Sequence, residues 1–287
     1  MKRLTPSEVA SYRRDGYITV SGIIDEPMLE ELREVTDLMA EKAAAVGHSD
    51  TVFDFATGPG PPVLRRIKSP ERQGPAYARA QTAEAVLDCL EDILGGPIRF
   101  WAGKLNLKQP HGGQAVEWHQ DWAFGPATND NLLTVGLALD DATVENGCLM
   151  VIPGSHHGPV LDHWKDGRFM GAVSEPTLDL SNAQALEIRS GGISVHHTRT
   201  LHGSAPNRST KPRRLLLFTY AAADAWPLSG VADLGAFNAQ MLRGTPPAAP
   251  RLDRVPVAPW PQWDTEPLGR DTSIFDFQDR MGESQFN

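Results

Sequence analysis

Apolar positions fall into two textures along the chain. Up to about residue 95 they recur at helical spacing, and from Ile98 onward they gather into short β-type runs between turn residues. Thr5-Pro6-Ser7-Glu8 has the form of a helix start, with Thr5 as cap, Pro6 in the first helical position, Glu8 reaching back and Gly16 as the stop. A short apolar stretch, Tyr17 to Val20, leads to Asp25 and Pro27, which open a longer helix with Leu32, Val35 and Met39 on one face and Gly47 at its end. Val86, Leu90, Ile93 and Leu94 place a third helix over Thr82 to Leu94, closed by Gly95. Between the second and third helices stand Gly58, Pro59, Gly60, Pro61, Pro62, Pro70 and Pro75. That density of breakers predicts a long loop over 50–75 with no regular structure.

The β-type runs are Ile98 to Lys108, Val116 to Gln120, Leu132 to Leu139, Cys148 to Ile152, Ile193 to His197 and Leu215 to Tyr220. They predict a mainly β sandwich or barrel. Past Thr245 the prolines at 246, 247, 250, 256, 259 and 261, with Trp260 and Trp263 among them, predict an irregular tail wrapping the core. We expect one domain: a helical part over 5–95, a β core over 98–225 and a proline-rich extension over 245–287.

Composition narrows the partner. With 40% hydrophobic and 22% charged residues the chain can bury an ordinary globular core. Its net charge of −9 speaks against electrostatic binding to nucleic acid or to an anionic membrane, which leaves a small molecule as the expected partner. Cys89 and Cys148 cannot build a disulfide framework and suit a reducing cytosol. MKRLTPSEVA has no apolar stretch behind its basic residues, and no run reaches the roughly 18 apolar residues of a membrane span. The expectation is a cytoplasmic protein without signal peptide or span.

The chemistry concentrates in Glu117-Trp118-His119-Gln120-Asp121. Residues two apart on a strand share a face, roughly 6 to 7 Å apart, so His119 and Asp121 can grip one ion. Two histidines and a carboxylate around one face of a metal, with other positions open, form the ligand set of non-haem Fe(II) oxygenases. His202, at a strand-to-turn junction in Leu201-His202-Gly203-Ser204, is the best second histidine. His-x-Asp alone also occurs on ordinary surface strands. Arg213-Arg214-Leu215-Leu216-Leu217-Phe218 adds weight, because on that strand one of the two arginines must approach the core. A buried guanidinium calls for an anion, and its planar fork suits a carboxylate such as the distal one of 2-oxoglutarate. The other reading is a pair of rim arginines bridging to acidic loops.

Four motifs in order resemble the phytanoyl-CoA dioxygenase family of 2-oxoglutarate oxygenases, which also contains ectoine hydroxylase. They are Tyr12-x-x-x-Gly16-Tyr17, Trp118-His119-Gln120-Asp121, Glu145-Asn146-Gly147-Cys148-Leu149-x-Val151-Ile152-Pro153-Gly154-Ser155-His156, and His202-Gly203-Ser204-x-Pro206-Asn207 followed by Arg213. The resemblance runs from about residue 5 to 225. It implies a double-stranded β-helix, a cupin-like jelly roll with the N-terminal helices packed outside. It further implies His119, Asp121 and His202 as Fe(II) ligands and Arg213 as the salt-bridge partner of 2-oxoglutarate. Ser204, Asn106 and Gln120 match positions that help hold the co-substrate in relatives, although Gln120 points away from His119 on an ideal strand. The implied reaction hydroxylates an unactivated C–H bond of a small molecule with O2, releasing succinate and CO2. Asp121 in place of a small residue favours hydroxylation over halogenation.

The remaining candidates carry weaker signals. His156 and His157 read as loop histidines with local hydrogen bonds. His196 and His197 differ in face, and the resemblance favours His197 as a residue lining the barrel in a supporting role. Trp122 and Phe124 read as core or pocket wall. Arg65, Arg66 and Lys68 read either as a solvated cluster or as the contact of an anionic substrate. Three rival functions are a metal enzyme of another class on a similar barrel, whose ligands are not evident, a non-catalytic metal or metabolite binding module on the same fold, and nucleic-acid demethylation, which calls for a basic surface that this acidic chain does not advertise.

Overall fold

The computed structural model describes residues 2–56, 60–110, 113–175, 177–257 and 273–286. Helix α1 (Pro6–Asp15) starts on a reciprocal cap between Thr5 and Glu8 and ends at Gly16 with φ 82°. The cap occupies two of the donors that a helix start leaves open. Strand β1 (Tyr17–Val20) follows, then helix α2 (Glu26–Val46), capped by Asp25 on the Met28 amide and closed by Gly47.

The expectation of a structureless loop over 50–75 is corrected. Strands β2 (Phe53–Ala56) and β3 (Val63–Lys68) pair antiparallel, and Pro70–Arg72 forms a 3-10 turn. Every described glycine and proline of this stretch lies outside both strands, so none of them removes a ladder hydrogen bond. The third predicted helix is α4 (Glu84–Leu94), and an unpredicted helix, α3 (Pro75–Gln81), precedes it, the two divided at Thr82 and Ala83. Ala83 turns to ψ 123°, and the Thr82 hydroxyl donates to the Ala78 carbonyl.

Strand β4 (Ile98–Lys108) opens the β core, continued by β5 (Val116–His119), β6 (Leu132–Ala138) and β7 (Leu149–Val151). The small hairpin β8 (Trp164–Lys165) and β9 (Arg168–Phe169), then β10 (Gln184–Leu186), β11 (Ile193–His197), β12 (His202–Ser204) and β13 (Arg213–Ala222), complete it. One sheet runs β1-β11-β6-β13-β4-β3-β2, and helix α5 (Leu234–Asn238) leads to β14 (Met241–Arg243), which pairs with β4. A smaller sheet runs β10-β7-β12-β5. The result is the expected jelly roll, mainly antiparallel β with helices outside.

Strand β13 shows how the layers divide. Leu216, Phe218 and Tyr220 join Leu29, Leu32 and Leu90 in the large apolar cluster under the helices, while Leu215 and Leu217 face inward between the sheets. Burial on both faces explains the unbroken apolar run in the sequence. The tail is more ordered than expected. Ser273 caps helix α6 (Ile274–Gln278), the Gln278 side chain accepts from the Glu117 amide at 3.0 Å, and Phe286 stacks on Trp118 at 5.6 Å between centroids. Trp260 and Trp263 lie outside the described residues. No helix among the described residues is long and apolar enough to cross a membrane.

Candidate metal centre and co-substrate pocket

His119 and His202 meet because β5 and β12 pair antiparallel in a register that sets them opposite each other. Their rings lie 4.1 Å apart between centroids. Asp121 arrives from the same segment, where the extended Gln120 carries the chain off β5 into a 3-10 turn over Asp121–Phe124. One ligand atom from each of the three residues falls within 4.8 Å of the others, the only such group of three among the described residues. The Asp121 Oδ1 atom is 3.7 Å from His119 Nε2 and 3.9 Å from His202 Nε2.

The surroundings prepare these groups to ligate. His119 Nδ1 sits 2.8 Å from the Glu117 carbonyl and His202 Nδ1 sits 2.8 Å from the Thr200 carbonyl. A carbonyl only accepts, so each Nδ1 carries the hydrogen and each Nε2 offers a lone pair toward the other ligands. Burial, with His119 and His196 close by, pushes the His202 imidazole well below its ordinary pKa and keeps it neutral. Burial opposes the charge on Asp121, but Lys104, His119 and His196 outweigh it and hold the carboxyl well below the usual carboxylate range. Thr134 donates its hydroxyl to Asp121 Oδ2 at 2.9 Å. Two imidazoles and one carboxylate match the donor set of a non-haem Fe(II) ion.

Deeper between the sheets, Arg213, Ser204 and Asn106 line the same pocket as the three ligands. Arg213 is 2% exposed, its Nη2 donates to the Gly147 carbonyl at 2.9 Å, and its Nε has no partner among the described residues. Burial lowers this guanidinium to about 10, so it stays charged at neutral pH. Arg214 turns the other way into ion pairs with Asp140 at 2.8 Å and Asp37 at 2.7 Å. The sequence left the choice between the two open, and the pairing of β13 resolves it. A buried cation with an unmet donor fits an anionic ligand.

Gln120 is a correction. It does not line the pocket; its amide donates to the Arg199 carbonyl at 2.8 Å and to the Pro159 carbonyl at 3.2 Å, and it accepts from the Leu161 amide at 2.8 Å. Strand alternation, which turned it away from His119, prevails. The histidine of β11 is a second correction. His196, not His197, faces the pocket, 3.5 Å from Asp121 Oδ2. Ile193 and Val195 belong to the helix-side cluster and carry His197 to that face by the two-residue period, where its Nδ1 accepts from the Arg199 amide. His156 behaves as a loop histidine, with Nε2 3.2 Å from the Arg13 carbonyl. Trp122 is core, whereas Phe124 stands edge-on to His119 at 6.0 Å.

Sequence reasoning missed Thr134 and Lys104 altogether and left Arg66 undecided. All three line the pocket with the ligands. The signal available was alternation: on β4, Lys104 and Asn106 share one face while Leu105 and Leu107 join the helix-side core.

Comparison with known proteins gives a consistent result. A family model described as phytanoyl-CoA dioxygenase matches residues 12–215. The chain is 36% identical to a probable alpha-ketoglutarate-dependent hypophosphite dioxygenase of Stutzerimonas stutzeri, over 87% of this chain and 90% of that protein. It is 27% identical to L-proline trans-4-hydroxylase of Streptomyces griseoviridis, over 86% and 93% of the two chains. Among solved structures it is similar to the epimerase SnoN in complex with Fe3+, alpha ketoglutarate and nogalamycin RO, with a TM-score of 0.64, 27% identity, and coverage of 86% and 95%.

Proposed function

Since this chain belongs to the phytanoyl-CoA dioxygenase family and is an Fe(II)- and 2-oxoglutarate-dependent dioxygenase acting on a small molecule with O2, we propose that His119, Asp121 and His202 hold its iron and that Arg213 holds its co-substrate. The bound iron, with 2-oxoglutarate and O2, supplies the oxidant that hydroxylates an unreactive bond of the substrate and leaves succinate and CO2. The observation that carries the assignment is the convergence of three ligand atoms within 4.8 Å beside a buried arginine with an unmet donor.

Each residue's part follows from its contacts. Glu117 and Thr200 carbonyls fix the two imidazoles with Nε2 free, and Thr134 orients the carboxylate. Arg213 draws the distal carboxylate of 2-oxoglutarate to the inner end of the pocket, with Ser204 and Asn106 beside it. Leu149, Leu215 and Leu217 keep that end dry, which strengthens the ion pair and excludes water from the reacting centre. The complete ligand set with Arg213 weighs against a module that kept the fold and lost turnover. The bond oxidised is a C–H bond in this reading, and the net charge of −9 favours a small-molecule substrate without nucleic acid or membrane. The two free, buried cysteines suit a cytoplasmic setting.

Anaerobic titration with Fe(II) and 2-oxoglutarate tests the assignment through the weak visible charge-transfer band of the chelated co-substrate. The band is expected in the wild type, absent in His119→Ala and weakened in Arg213→Ala. Its absence from folded, iron-loaded wild type refutes the assignment.

A further inference from the structure

The inner pocket holds more positive charge than its acid and its cofactors balance. Arg66, Lys104 and Arg213 face one carboxylate, that of Asp121. Fe(II) brings two positive charges and 2-oxoglutarate two negative ones, so their joint arrival leaves the surplus unchanged. Arg213 is matched by the co-substrate. Lys104 Nζ lies 3.7 Å from Asp121 Oδ1, the oxygen that also faces His119 Nε2 and His202 Nε2.

Arg66 has no ion pair among the described residues. It is 6% exposed, and its Nε donates to Asn106 Oδ1 at 2.9 Å and its Nη1 to Ser273 Oγ at 3.2 Å. Its guanidinium lies 4.8 Å from the centre of the Phe275 ring, and Nη2 is buried without a hydrogen-bond partner among the described residues. All of these contacts are neutral, and Asp54 and Asp276, which favour its charge from farther off, are both engaged by Arg65. The next residue shows how the same strand treats a structural arginine, because Arg65 is paired with Asp54 at 2.9 Å and with Asp279 at 3.0 Å. A buried guanidinium left with neutral partners and a spare donor is stabilised by a ligand that brings the counter-charge.

The position of the two cations says which ligand. A second cavity of about 780 Å3, lined by Phe100, Trp101, Phe237 and Gln240 with Glu71 and Asp233 also in its wall, abuts the inner pocket. Arg66 and Lys104 are the residues common to both linings, so they stand between the metal ligands and the outer chamber. Arg213 lines only the inner pocket.

We propose that Arg66 and Lys104 anchor the substrate, and that the substrate is a small molecule bearing an oxyanion, held at this junction with its oxidisable bond toward the metal. The planar fork of Arg66 gives the oxyanion two parallel donors, and the ammonium of Lys104 adds a compact charge. The inference rests on the oxygenase reading above and names the substrate class for that site.

The test is calorimetric titration of the anaerobic Fe(II) and 2-oxoglutarate complex with methylphosphonate, hypophosphite and propionate, and with uncharged dimethyl methylphosphonate as control. The proteins are wild type, Arg66→Gln, Arg66→Lys and Lys104→Gln, each checked for its melting transition. Wild type is expected to bind at least one of the anions and not the ester. Both Gln variants weaken that binding by about tenfold or more, Arg66→Lys recovers part of it, and 2-oxoglutarate affinity stays within about threefold throughout. Anion affinity unchanged in both folded Gln variants overturns the proposal. So does a parallel loss of 2-oxoglutarate affinity in Arg66→Gln, which assigns that residue to the co-substrate. Wild type that forms the charge-transfer band and binds none of the anions overturns the substrate class alone; wild type without the band overturns the oxygenase reading and this inference with it.

Discussion

Replacing Arg213 by methionine moves the free protein and the co-substrate complex in opposite directions. In the free protein the guanidinium is 2% exposed, charged, and short of a partner for Nε. Apolar replacements of buried ionic groups are neutral or stabilising by about 1–4 kcal/mol, and the Gly147 carbonyl gives back about 1 kcal/mol by losing its donor. Arg213→Met without ligand is therefore expected to lie between about 1 kcal/mol less stable and about 3 kcal/mol more stable. Losing one partner of a buried, hydrogen-bonded charge pair costs about 2–5 kcal/mol of binding, so 2-oxoglutarate affinity falls at least about 30-fold. At about 100 times the wild-type Kd the ligand stabilises the wild type by about 2.7 kcal/mol, and the variant by less than about 1 kcal/mol. For a chain of this size that is a rise in Tm of about 5–10 °C against less than about 4 °C. Anaerobic melting curves of the Fe(II) protein with and without 2-oxoglutarate read both effects. A variant that keeps the full ligand-induced rise refutes the assignment of Arg213, and one destabilised by several kcal/mol without ligand shows that the arginine holds the fold instead.

Three further outcomes follow from named contacts. His119→Ala removes a ligand whose geometry β5 and β12 set together, and metal titration should show affinity reduced by more than about 100-fold; retained binding would place the ion elsewhere. Gln120→Leu leaves the Leu161 amide and two carbonyls unpaired, so denaturant unfolding should report a loss of about 2–4 kcal/mol while 2-oxoglutarate titration stays unchanged; a co-substrate role would reverse that pattern. His163 is pushed down to about 4 by burial, so the unfolded chain, protonating near 6.5, takes up its proton first and stability falls as pH drops through that window. The share of this one imidazole is on the order of 3 kcal/mol, and His163→Gln should flatten the slope of stability against pH between those values; an unchanged slope would show that other groups carry it.

Local chemistry made much of this protein readable in its sequence. Thr5, Asp25, Gly16 and Gly47 bound two helices through caps that need only neighbouring residues, and the structure begins and ends both helices at these signals. His119, Asp121 and His202 were legible because short-range spacing and ordered motifs select them, and all three converge. What stayed hidden depended on which face of a strand is covered. The two-residue period says that His196 and His197 differ and that Arg213 and Arg214 differ, but it does not say which member points inward. The helices packed over Val195 and Leu216 decide that, by claiming one face of β11 and β13 and leaving His196 and Arg213 to the space between the sheets. The same holds for 50–75, where the breakers obscured β2 and β3 because β3 gains its stability from long-range pairing with β4 and β2 from pairing with β3. Only that pairing sets Arg66 beside Asn106 and turns a charge cluster in the sequence into a buried cation facing the site.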